Sequence, residues 1–342
     1  MRSLRLHAPG DLRMHDEPIP KPGPGEAMVR IGSVGVCASD IHYWRDGRIG
    51  STVVTDPIVL GHEASGRLEA FGEGTRTNLS PGQRVAIEPA KPCLKCEFCA
   101  SGHFNVCPSV EFFGTPPVDG CFRDYVAWPA ELLLPLPDSV SMDEAAMVEP
   151  LAIGIYAADL AALRPGETAA ILGAGAIGLS VLQALRVAGA AKILVSEPIQ
   201  ARREMAMRLG ADAVCEPADG RAAAEELTAG NGFDVVFECA GEPEAVREAS
   251  RLARILGRAV ILGIPREDEY PFDAGAARRK ELTAIFVRRS NSTAQRAIEL
   301  VREGKVDVSS YVTHTFPLER AGEALELAES KRQGVLRAVV RL

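Results

Sequence analysis

Cys37, His62 and Glu63 bring together a thiolate, an imidazole and a carboxylate. Open catalytic zinc sites use three protein ligands of this kind, whereas closed structural zinc sites rarely include a carboxylate. Each residue alone has a simpler interpretation, because a single cysteine is commonly a small buried residue and an adjacent His-Glu pair commonly lies at the surface. The ligand types therefore indicate metal-assisted catalysis only in combination with the sequence around them.

Four further cysteines are crowded into one short stretch: Cys93, Cys96, Cys99 and Cys107. Thiolates at this spacing match a tetrahedral zinc site in which every ligand comes from the protein and no position is left for a substrate. Two alternatives stay open. One is an iron–sulfur cluster, which thiolates at similar spacings can hold, and the other is four unrelated buried thiols. We expect a structural zinc ion.

A glycine-rich turn follows a short apolar run in the second half of the chain. Residues 168–172 have strand character, and the glycines that follow precede a helical stretch at 179–187. This order is typical of dinucleotide binding, because the first glycine permits a tight turn, the second lets a pyrophosphate approach the backbone and the third lets helix and strand pack. The cofactor-binding residues expected at the turn are Gly173, Gly175, Ala176, Ile177 and Gly178.

A second apolar run ends at Glu197, at a distance beyond Gly178 that suits the acidic residue of a dinucleotide site. Its carboxylate can accept hydrogen bonds from ribose hydroxyls and would repel a 2′-phosphate, which favours NAD over NADP. Arg202 and Arg203 weaken this inference, because they would reach a 2′-phosphate if the next helix turned them inward. Solvated arginines are the commoner case on helices, so we expect NAD.

The elements that must position these residues differ between the two halves of the chain. Residues up to about 147 are rich in glycine, proline and short apolar-polar alternations, and no helical periodicity persists there. Strands are predicted at 27–34, 66–70, 84–87 and 125–127. From Met142 the composition becomes helical and alanine-rich, and we expect a domain junction near Glu149.

Beyond the glycine turn, apolar runs alternate with helical stretches, which is the pattern of a doubly wound parallel sheet. The predicted strands are 191–196, 213–215, 233–239, 258–263 and 282–287, and the predicted helices are 199–209, 220–229 and 242–256. One more helix at 293–303 and a final strand at 336–340 complete the chain. The expected fold class is α/β.

Length and composition narrow the possible functions. A chain of 342 residues favours two domains, and 46% hydrophobic with 25% charged residues is ordinary for a globular protein. A net charge of −8 without a concentrated Lys/Arg run argues against nucleic-acid and anionic-membrane partners. No signal-peptide pattern or long apolar stretch is present, so we expect a cytoplasmic protein that binds small molecules.

Several motifs resemble one family. Cys37-Ala-Ser-Asp followed by Gly61-His-Glu is similar to the catalytic-zinc pattern of the zinc-dependent medium-chain alcohol dehydrogenases, and His42-Tyr-Trp with Gly47-Arg-Ile-Gly resembles their polyol (sorbitol- or xylitol-like) branch. The resemblance covers nearly the whole chain. It implies a β-rich GroES-like catalytic domain at 1–148 and 287–342, with a structural zinc lobe at about 90–110, and a Rossmann domain at 149–286.

The same resemblance implies roles for individual residues. Cys37, His62 and Glu63 would hold the catalytic zinc, and Glu149 stands where simple alcohol dehydrogenases have a cysteine ligand. Either Glu63 or Glu149 could be the carboxylate that binds the metal directly. Asp40 would orient His62, while Ser39 and His42 would carry the substrate proton to solvent. Two zinc ions per subunit are expected.

The expected reaction is oxidation of a secondary hydroxyl of a polyol, with hydride transfer to NAD. Tyr43 would lie beside the substrate, and Arg288 or Arg289 occupies the region where sorbitol-like enzymes carry an Arg-Tyr pair. The second arginine adds a positive charge, so an acidic sugar stays a candidate substrate. A simple secondary alcohol or threonine-like dehydrogenase is the rival enzyme, and a non-catalytic NAD-binding protein is the rival of another class. The resemblance favours a homo-oligomer, either dimer or tetramer.

Overall fold

The chain folds into two units in the computed structural model, which describes residues 1–342. The first unit contains Met1–Glu149, Ala294–Gly304 and Val308–Leu342, and the second contains Pro150–Thr293 and Lys305–Asp307. The first unit is therefore assembled from segments that are distant in sequence.

Strands dominate the first unit. They are, in chain order, β1 (Arg2–Ala8), β2 (Asp11–Asp16), β3 (Glu26–Gly35), β4 (Arg48–Ile49), β5 (Thr52–Val53), β6 (Ile58–Val59), β7 (Glu63–Phe71), β8 (Arg84–Ile87), β9 (Ala90–Lys91), β10 (Glu111–Phe112), β11 (Tyr125–Pro129) and β12 (Leu133–Pro135), with β19 (Val312–Pro317) and β20 (Arg337–Arg341) near the C-terminus. The predicted strands in this region are confirmed.

The main sheet of the first unit has the order β12-β8-β7-β3-β20-β19, and β11 also pairs with β3. The long strand β3 pairs with β7 in antiparallel register, with Gly35 opposite Glu63. A smaller sheet has the order β2-β1-β6. Fully buried residues such as Leu6, Ile31 and Phe122 form the core beneath these strands because their apolar area is removed from water.

The helices of the first unit are α1 (Ala38–Asp46), α2 (Glu97–Ala100), α3 (Met142–Ala146), α10 (Ala294–Arg302) and α11 (Ala321–Ser330). Helix α1 lies in the N-terminal part, where the sequence shows no persistent helical periodicity. That helix carries only a weak apolar stripe, so periodicity could not reveal it. Its ends determine it instead, since Asp40 accepts a hydrogen bond from the Cys37 N–H and Gly47 ends the helix with a left-handed φ of 66°.

The second unit is built on six parallel strands: β13 (Thr168–Leu172), β14 (Lys192–Ser196), β15 (Ala213–Cys215), β16 (Phe233–Glu238), β17 (Ala253–Ile261) and β18 (Thr283–Phe286). Their order, β15-β14-β13-β16-β17-β18, is the 3-2-1-4-5-6 order of a Rossmann fold. Buried residues such as Val236 and Ile261 pack against helices because a parallel sheet is covered on its faces. The predicted α/β class and doubly wound sheet are confirmed.

The helices of this unit are α5 (Ala176–Val187), α6 (Gln200–Arg208), α7 (Gly220–Thr228), α8 (Pro243–Leu252) and α9 (Ala274–Arg279), and α4 (Val148–Leu160) begins at the junction. The prediction of one helix through 242–256 was wrong at its C-terminal end, where β17 begins at Ala253. Ala253 adopts an extended conformation with a ψ of 143°, which ends the helix at Leu252. None of the helices is long and apolar enough to cross a bilayer.

Candidate active site and metal centres

The pairing of β3 with β7 brings the first ligand group together. Cys37 follows the end of β3, and His62 and Glu63 lie at the start of β7, so the register that sets Gly35 opposite Glu63 also brings Cys37 near His62. The candidate ligand atoms of these three residues all lie within 4.8 Å of one another. His62 and Glu63 are buried, whereas Cys37 is half-buried. The sheet thus provides a preformed group of donors that a single cation can bridge.

Asp40 ties the two sides of this group together. Its Oδ2 accepts the Cys37 N–H at 2.9 Å and its Oδ1 accepts the Gly61 N–H at 2.9 Å. The distance from Oδ1 to Nδ1 of His62 is 3.7 Å, which is too long for a hydrogen bond. Burial lowers the pKa of His62, but the charges of Asp40 and Cys37 outweigh burial and hold that pKa well above its ordinary value. Asp40 therefore acts on His62 through its charge.

Arg337 is a member of the site that sequence reasoning missed. It lies on β20, is only 7% exposed, and its Nη2 is 2.8 Å from Oε1 of Glu63. Its Nη1 donates a hydrogen bond to the Val36 carbonyl at 2.5 Å. A signal was present in the sequence, because an arginine next to the apolar run of residues 338–340 needs an anionic partner if it is buried.

Both candidate carboxylates are strongly buried. Burial raises the pKa of Glu63, against the opposing charges of Arg337 and His62. Burial also raises the pKa of Glu149 to about 8, and the neighbouring carboxylate of Glu63 adds to this rise. Glu149 lies in the first turn of α4 but outside the group whose donor atoms approach within 4.8 Å.

This donor set fits a divalent cation. Neither carboxylate oxygen of Glu63 accepts an aligned hydrogen bond, although both are buried, so lone pairs remain available for a metal. Thiolate, imidazole and carboxylate ligands together suit zinc. Cys37, His62 and Glu63 would hold the ion, and the carboxyl group of Glu149 lies close enough to interact with Glu63.

The four remaining cysteines of interest form a second group. The sulfur atoms of Cys93, Cys96, Cys99 and Cys107 lie within 4.8 Å of one another. Cys93 and Cys99 are 4.0 Å apart, and Cys96 and Cys107 are 3.9 Å apart. Bonds of about 2.3 Å to a tetrahedral zinc ion would separate sulfur atoms by about 3.8 Å, so the geometry fits zinc. The Lys95 and Cys96 N–H groups lower the pKa of Cys93 to about 6 against the opposing effect of desolvation, which favours a thiolate.

The glycine turn joins β13 to α5 in the second unit. Gly173 has a φ of 101°, which side chains rarely adopt, and a Cβ on Gly178 would lie 1.9 Å from the Gly173 carbonyl oxygen. Gly175 precedes the helix, and Ala176 and Ile177 form its first turn. The helix N-terminus therefore presents unpaired N–H groups to the turn, as phosphate binding requires.

Glu197 directly follows β14 and lies beside the same turn. It is 4% exposed, and its Oε2 accepts the Ala174 N–H at 2.7 Å. Arg203 donates to the carbonyls of Glu197 and Pro198 and pairs with Glu216 at 2.9 Å. The guanidinium of Arg203 is thus already engaged, and Arg202 is half-buried in the first turn of α6. The turn and its acidic neighbour fit a nicotinamide dinucleotide.

The remaining predicted residues occupy two places. Ser39, His42 and Tyr43 lie on α1, where Ser39 and His42 are half-buried and Tyr43 is 3% exposed within the core. Nδ1 of His42 is 3.7 Å from Oδ2 of Asp46, one turn further on. Arg288 and Arg289 lie in the loop after β18 in the second unit, with Arg288 exposed and Arg289 half-buried.

Comparisons with known proteins agree with this architecture. The alcohol dehydrogenase GroES-like domain matches residues 23–138, and the zinc-binding dehydrogenase domain matches residues 176–303. A sorbitol dehydrogenase of Bacillus subtilis (strain 168) is 35% identical over 342 residues, covering 99% of this chain and 97% of that protein. The sorbitol dehydrogenase of Homo sapiens is 39% identical over 329 residues, covering 95% of this chain and 91% of that protein.

Two solved structures extend the similarity to the fold. An Escherichia coli oxidoreductase/dehydrogenase of unknown specificity, ECK1772, superposes with a TM-score of 0.94 at 33% identity, covering 99% of this chain and 98% of that chain. The L-idonate 5-dehydrogenase of Escherichia coli superposes with a TM-score of 0.92 at 28% identity, covering 100% of this chain and 98% of that chain. The chain therefore belongs to the zinc-dependent medium-chain alcohol dehydrogenase family, in its polyol dehydrogenase branch.

Proposed function

We propose that this protein is a zinc- and NAD-dependent polyol dehydrogenase that oxidises a secondary hydroxyl to a ketone. The single observation that carries the proposal is the group of Cys37, His62 and Glu63, whose donor atoms lie within 4.8 Å of one another. Family membership supplies the reaction class, and the sorbitol dehydrogenases among the relatives suggest a polyhydroxyl substrate.

The residues have distinct tasks in this proposal. A bound zinc ion would lower the pKa of a substrate hydroxyl, and a bound nicotinamide cofactor would accept the hydride. Cys37, His62 and Glu63 hold the metal, and Arg337 holds Glu63 in place by its ion pair. Glu149 places a second carboxyl group close enough to interact with Glu63.

The substrate proton needs a path away from the site. Ser39 and His42 are three residues apart on α1, so both side chains lie on one face of that helix. The hydroxyl of Ser39 would pass the proton to the imidazole of His42, because imidazole is the side chain that most readily exchanges protons with solvent near neutral pH. Tyr43 and one of Arg288 and Arg289 are proposed to contact the substrate hydroxyls.

NAD is the proposed cofactor, and two observations support it over NADP. The carboxylate of Glu197 sits at the glycine turn, where it would repel a 2′-phosphate. Arg203, on the helix that follows, is occupied by Glu216 and two backbone carbonyls. The second zinc ion is proposed at the four-cysteine group, where it would stabilise the fold.

We further propose a cytoplasmic homo-oligomer. All eight cysteines are free of disulfides, which suits a reducing compartment. Strand β18 is an open edge of the six-stranded sheet, and Phe286 on it is 56% exposed. A second copy could pair with this edge about a twofold axis and cover Phe286. Sedimentation of the wild type and of Phe286→Asp tests this, because a monomeric wild type would contradict it.

The decisive experiment for the reaction is turnover of the zinc-loaded protein with NAD. The panel compares kcat/KM for sorbitol, xylitol, ribitol, arabinitol, inositols and L-idonate with that for 2-butanol and threonine. A site built for hydroxyl groups rejects an analogue that lacks them by roughly 10⁴-fold. If 2-butanol or threonine matched the best polyol, a simple alcohol or threonine-like dehydrogenase would replace the proposal. Failure of every substrate would favour a non-catalytic NAD-binding protein.

A further inference from the structure

Glu238 is a buried carboxylate surrounded by backbone donors. It is the last residue of β16 and is 0% exposed. Its Oε1 accepts hydrogen bonds from the N–H groups of Ala240 and Gly241, both at 2.7 Å, and its Oε2 accepts the N–H of Gly263 at 3.2 Å. Burial raises the pKa of Glu238, and the Gly241 and Ala240 donors limit that rise.

These donors belong to two neighbouring loops. Ala240 and Gly241 are in the loop after β16, whereas Gly263 is in the loop after β17. The Glu238 carbonyl also accepts the N–H groups of Leu262 and Gly263, at 2.9 and 3.2 Å. Glu238 therefore holds both loops by hydrogen bonds at the carboxyl edge of the parallel sheet. Ligands bind at this edge in open α/β folds.

The loop after β16 also contacts the glycine turn. The Cys239 N–H donates to the Leu172 carbonyl at 2.8 Å, and the Ala240 backbone nitrogen lies 3.1 Å from where a Cβ on Gly173 would be. Glu197 holds the other side of the turn by accepting a hydrogen bond from the Ala174 N–H. The central strand β13 thus lies between two strands, β14 and β16, each leading into a buried glutamate that orders the adjoining loops.

The chemistry of the site requires a carboxylate. An apolar side chain would leave the Ala240 and Gly241 N–H groups without their acceptor, which is costly, whereas the Gly263 N–H would keep the Glu238 carbonyl. A glutamine would offer one carbonyl oxygen, and its amide NH₂ would face a backbone donor. Glu238 accepts these hydrogen bonds at the edge of the sheet where the cofactor is predicted to bind. The glycine turn beside it is the segment proposed to bind phosphates.

We propose that Glu238 is a positioning residue for the nicotinamide cofactor, and that its carboxylate holds the loops after β16 and β17 in the shape that binds it. The inference rests on the proposed function, because it assumes that the second unit binds NAD. A purely structural role is the alternative, and it predicts lower stability without a specific loss of cofactor affinity.

Asp234 offers a matched control on the same strand. Its Oδ2 accepts the backbone N–H and the hydroxyl of Thr168, at 2.8 and 2.9 Å, and its Oδ1 pairs with Arg254 at 2.6 Å. Asp234 therefore also links β16 to the neighbouring strand β13, but at the amino edge of the sheet. Asp234→Asn should lower stability and leave cofactor binding close to that of the wild type.

The test measures the Kd of NADH by fluorescence titration, and thermal unfolding, for the wild type, Glu238→Gln and Asp234→Asn. Loss of a charged hydrogen bond at a buried site should weaken NADH binding to Glu238→Gln by about tenfold. Wild-type affinity in Glu238→Gln, or equal weakening in both variants, would overturn the inference. A wild type that binds neither NADH nor NADPH would instead refute the proposed function itself.

Amide hydrogen exchange of the wild type keeps the inference testable if Glu238→Gln does not fold. Adding NADH should slow exchange at Ala240, Gly241 and Gly263, because the loops that carry them would be held against the cofactor. Unchanged exchange at all three amides in NADH-saturated protein would show that these loops do not respond to the cofactor, and the inference would be withdrawn.

Discussion

The guanidinium of Arg337 lies 2.8 Å from the carboxylate of Glu63, and both side chains are almost completely buried. The pair joins β20, near the C-terminus, to the start of β7 at the candidate zinc site. Removing one member of a buried pair leaves an uncompensated charge, which is far more costly than losing a pair exposed to water.

Replacing Arg337 tests the importance of this pair. Arg337→Met should lower the free energy of unfolding by about 3–5 kcal/mol, because Glu63 would lose its buried partner. Arg341→Gln is the matched control on the same strand, since Arg341 is 58% exposed and pairs with Asp143; it should cost at most about 1 kcal/mol. Urea unfolding of both variants measures the difference. Equal small losses would mean that Glu63 does not depend on Arg337.

Cys37→Ser should abolish turnover while leaving the protein folded. The substitution removes a thiolate from the proposed open site but leaves the core around it intact. Metal analysis should find one zinc ion fewer per subunit, and circular dichroism should match that of the wild type. Turnover near the wild-type rate would exclude Cys37 as a ligand of a catalytic metal.

Cys96→Ser should act on stability instead. The four-cysteine group would hold an ion whose binding free energy contributes to folding, so its loss should lower Tm and release one zinc ion. Cys215→Ala is the control, because Cys215 is buried outside both ligand groups and should leave both ions bound. Detection of iron in the purified protein would contradict the zinc assignment and indicate an iron–sulfur cluster at this site.

Cofactor preference should depend on Glu197. The wild type should use NAD with a kcat/KM at least about tenfold above that for NADP, because the Glu197 carboxylate repels a 2′-phosphate. Glu197→Ser should narrow this ratio, and Arg202→Gln should reduce any residual activity with NADP. Better turnover with NADP in the wild type would show that the arginines of α6 determine the preference.

Stability should fall in acid partly through Glu17. Its hydrogen bond with Arg5, at 2.5 Å, lowers the pKa of Glu17 below the ordinary value of 4.5. The unfolded chain therefore takes up the proton more readily than the folded chain, so the contribution of Glu17 is complete above about pH 4.5 and is lost as pH falls through the lowered pKa.

Glu17→Gln provides the check on this pH dependence. The Tm difference between wild type and variant, measured from pH 7 to pH 3, should be largest at neutral pH and shrink below about pH 4.5. Arg13, which is 61% exposed and pairs with Asp11, supplies the control, because Arg13→Gln should change Tm little at any pH. A constant difference for Glu17→Gln across the range would contradict the assignment.

Local patterns were enough to predict the α/β class and the alternation of strands and helices in the second unit. The glycine turn was also predictable, since Gly173 and Gly178 are required by close contacts within one short segment. The boundary between α8 and β17 was not, because Ile255 and Leu256 continue an apolar pattern that suits either a helix or a strand. Pairing of Ala253 with Phe233 on β16 resolved that choice.

The sequence by itself determined which chemical groups the protein carries and how closely they follow one another: a Cys, a His-Glu pair, four clustered cysteines and a glycine turn. Only the tertiary structure decided which distant partners complete them. Arg337 reaches Glu63 through the pairing of β20 and β7 with β3, and Glu238 reaches Gly263 through the pairing of β16 with β17. Such contacts depend on strand register and burial, which join residues far apart in the chain, so a local pattern can indicate that a partner is needed but cannot identify it.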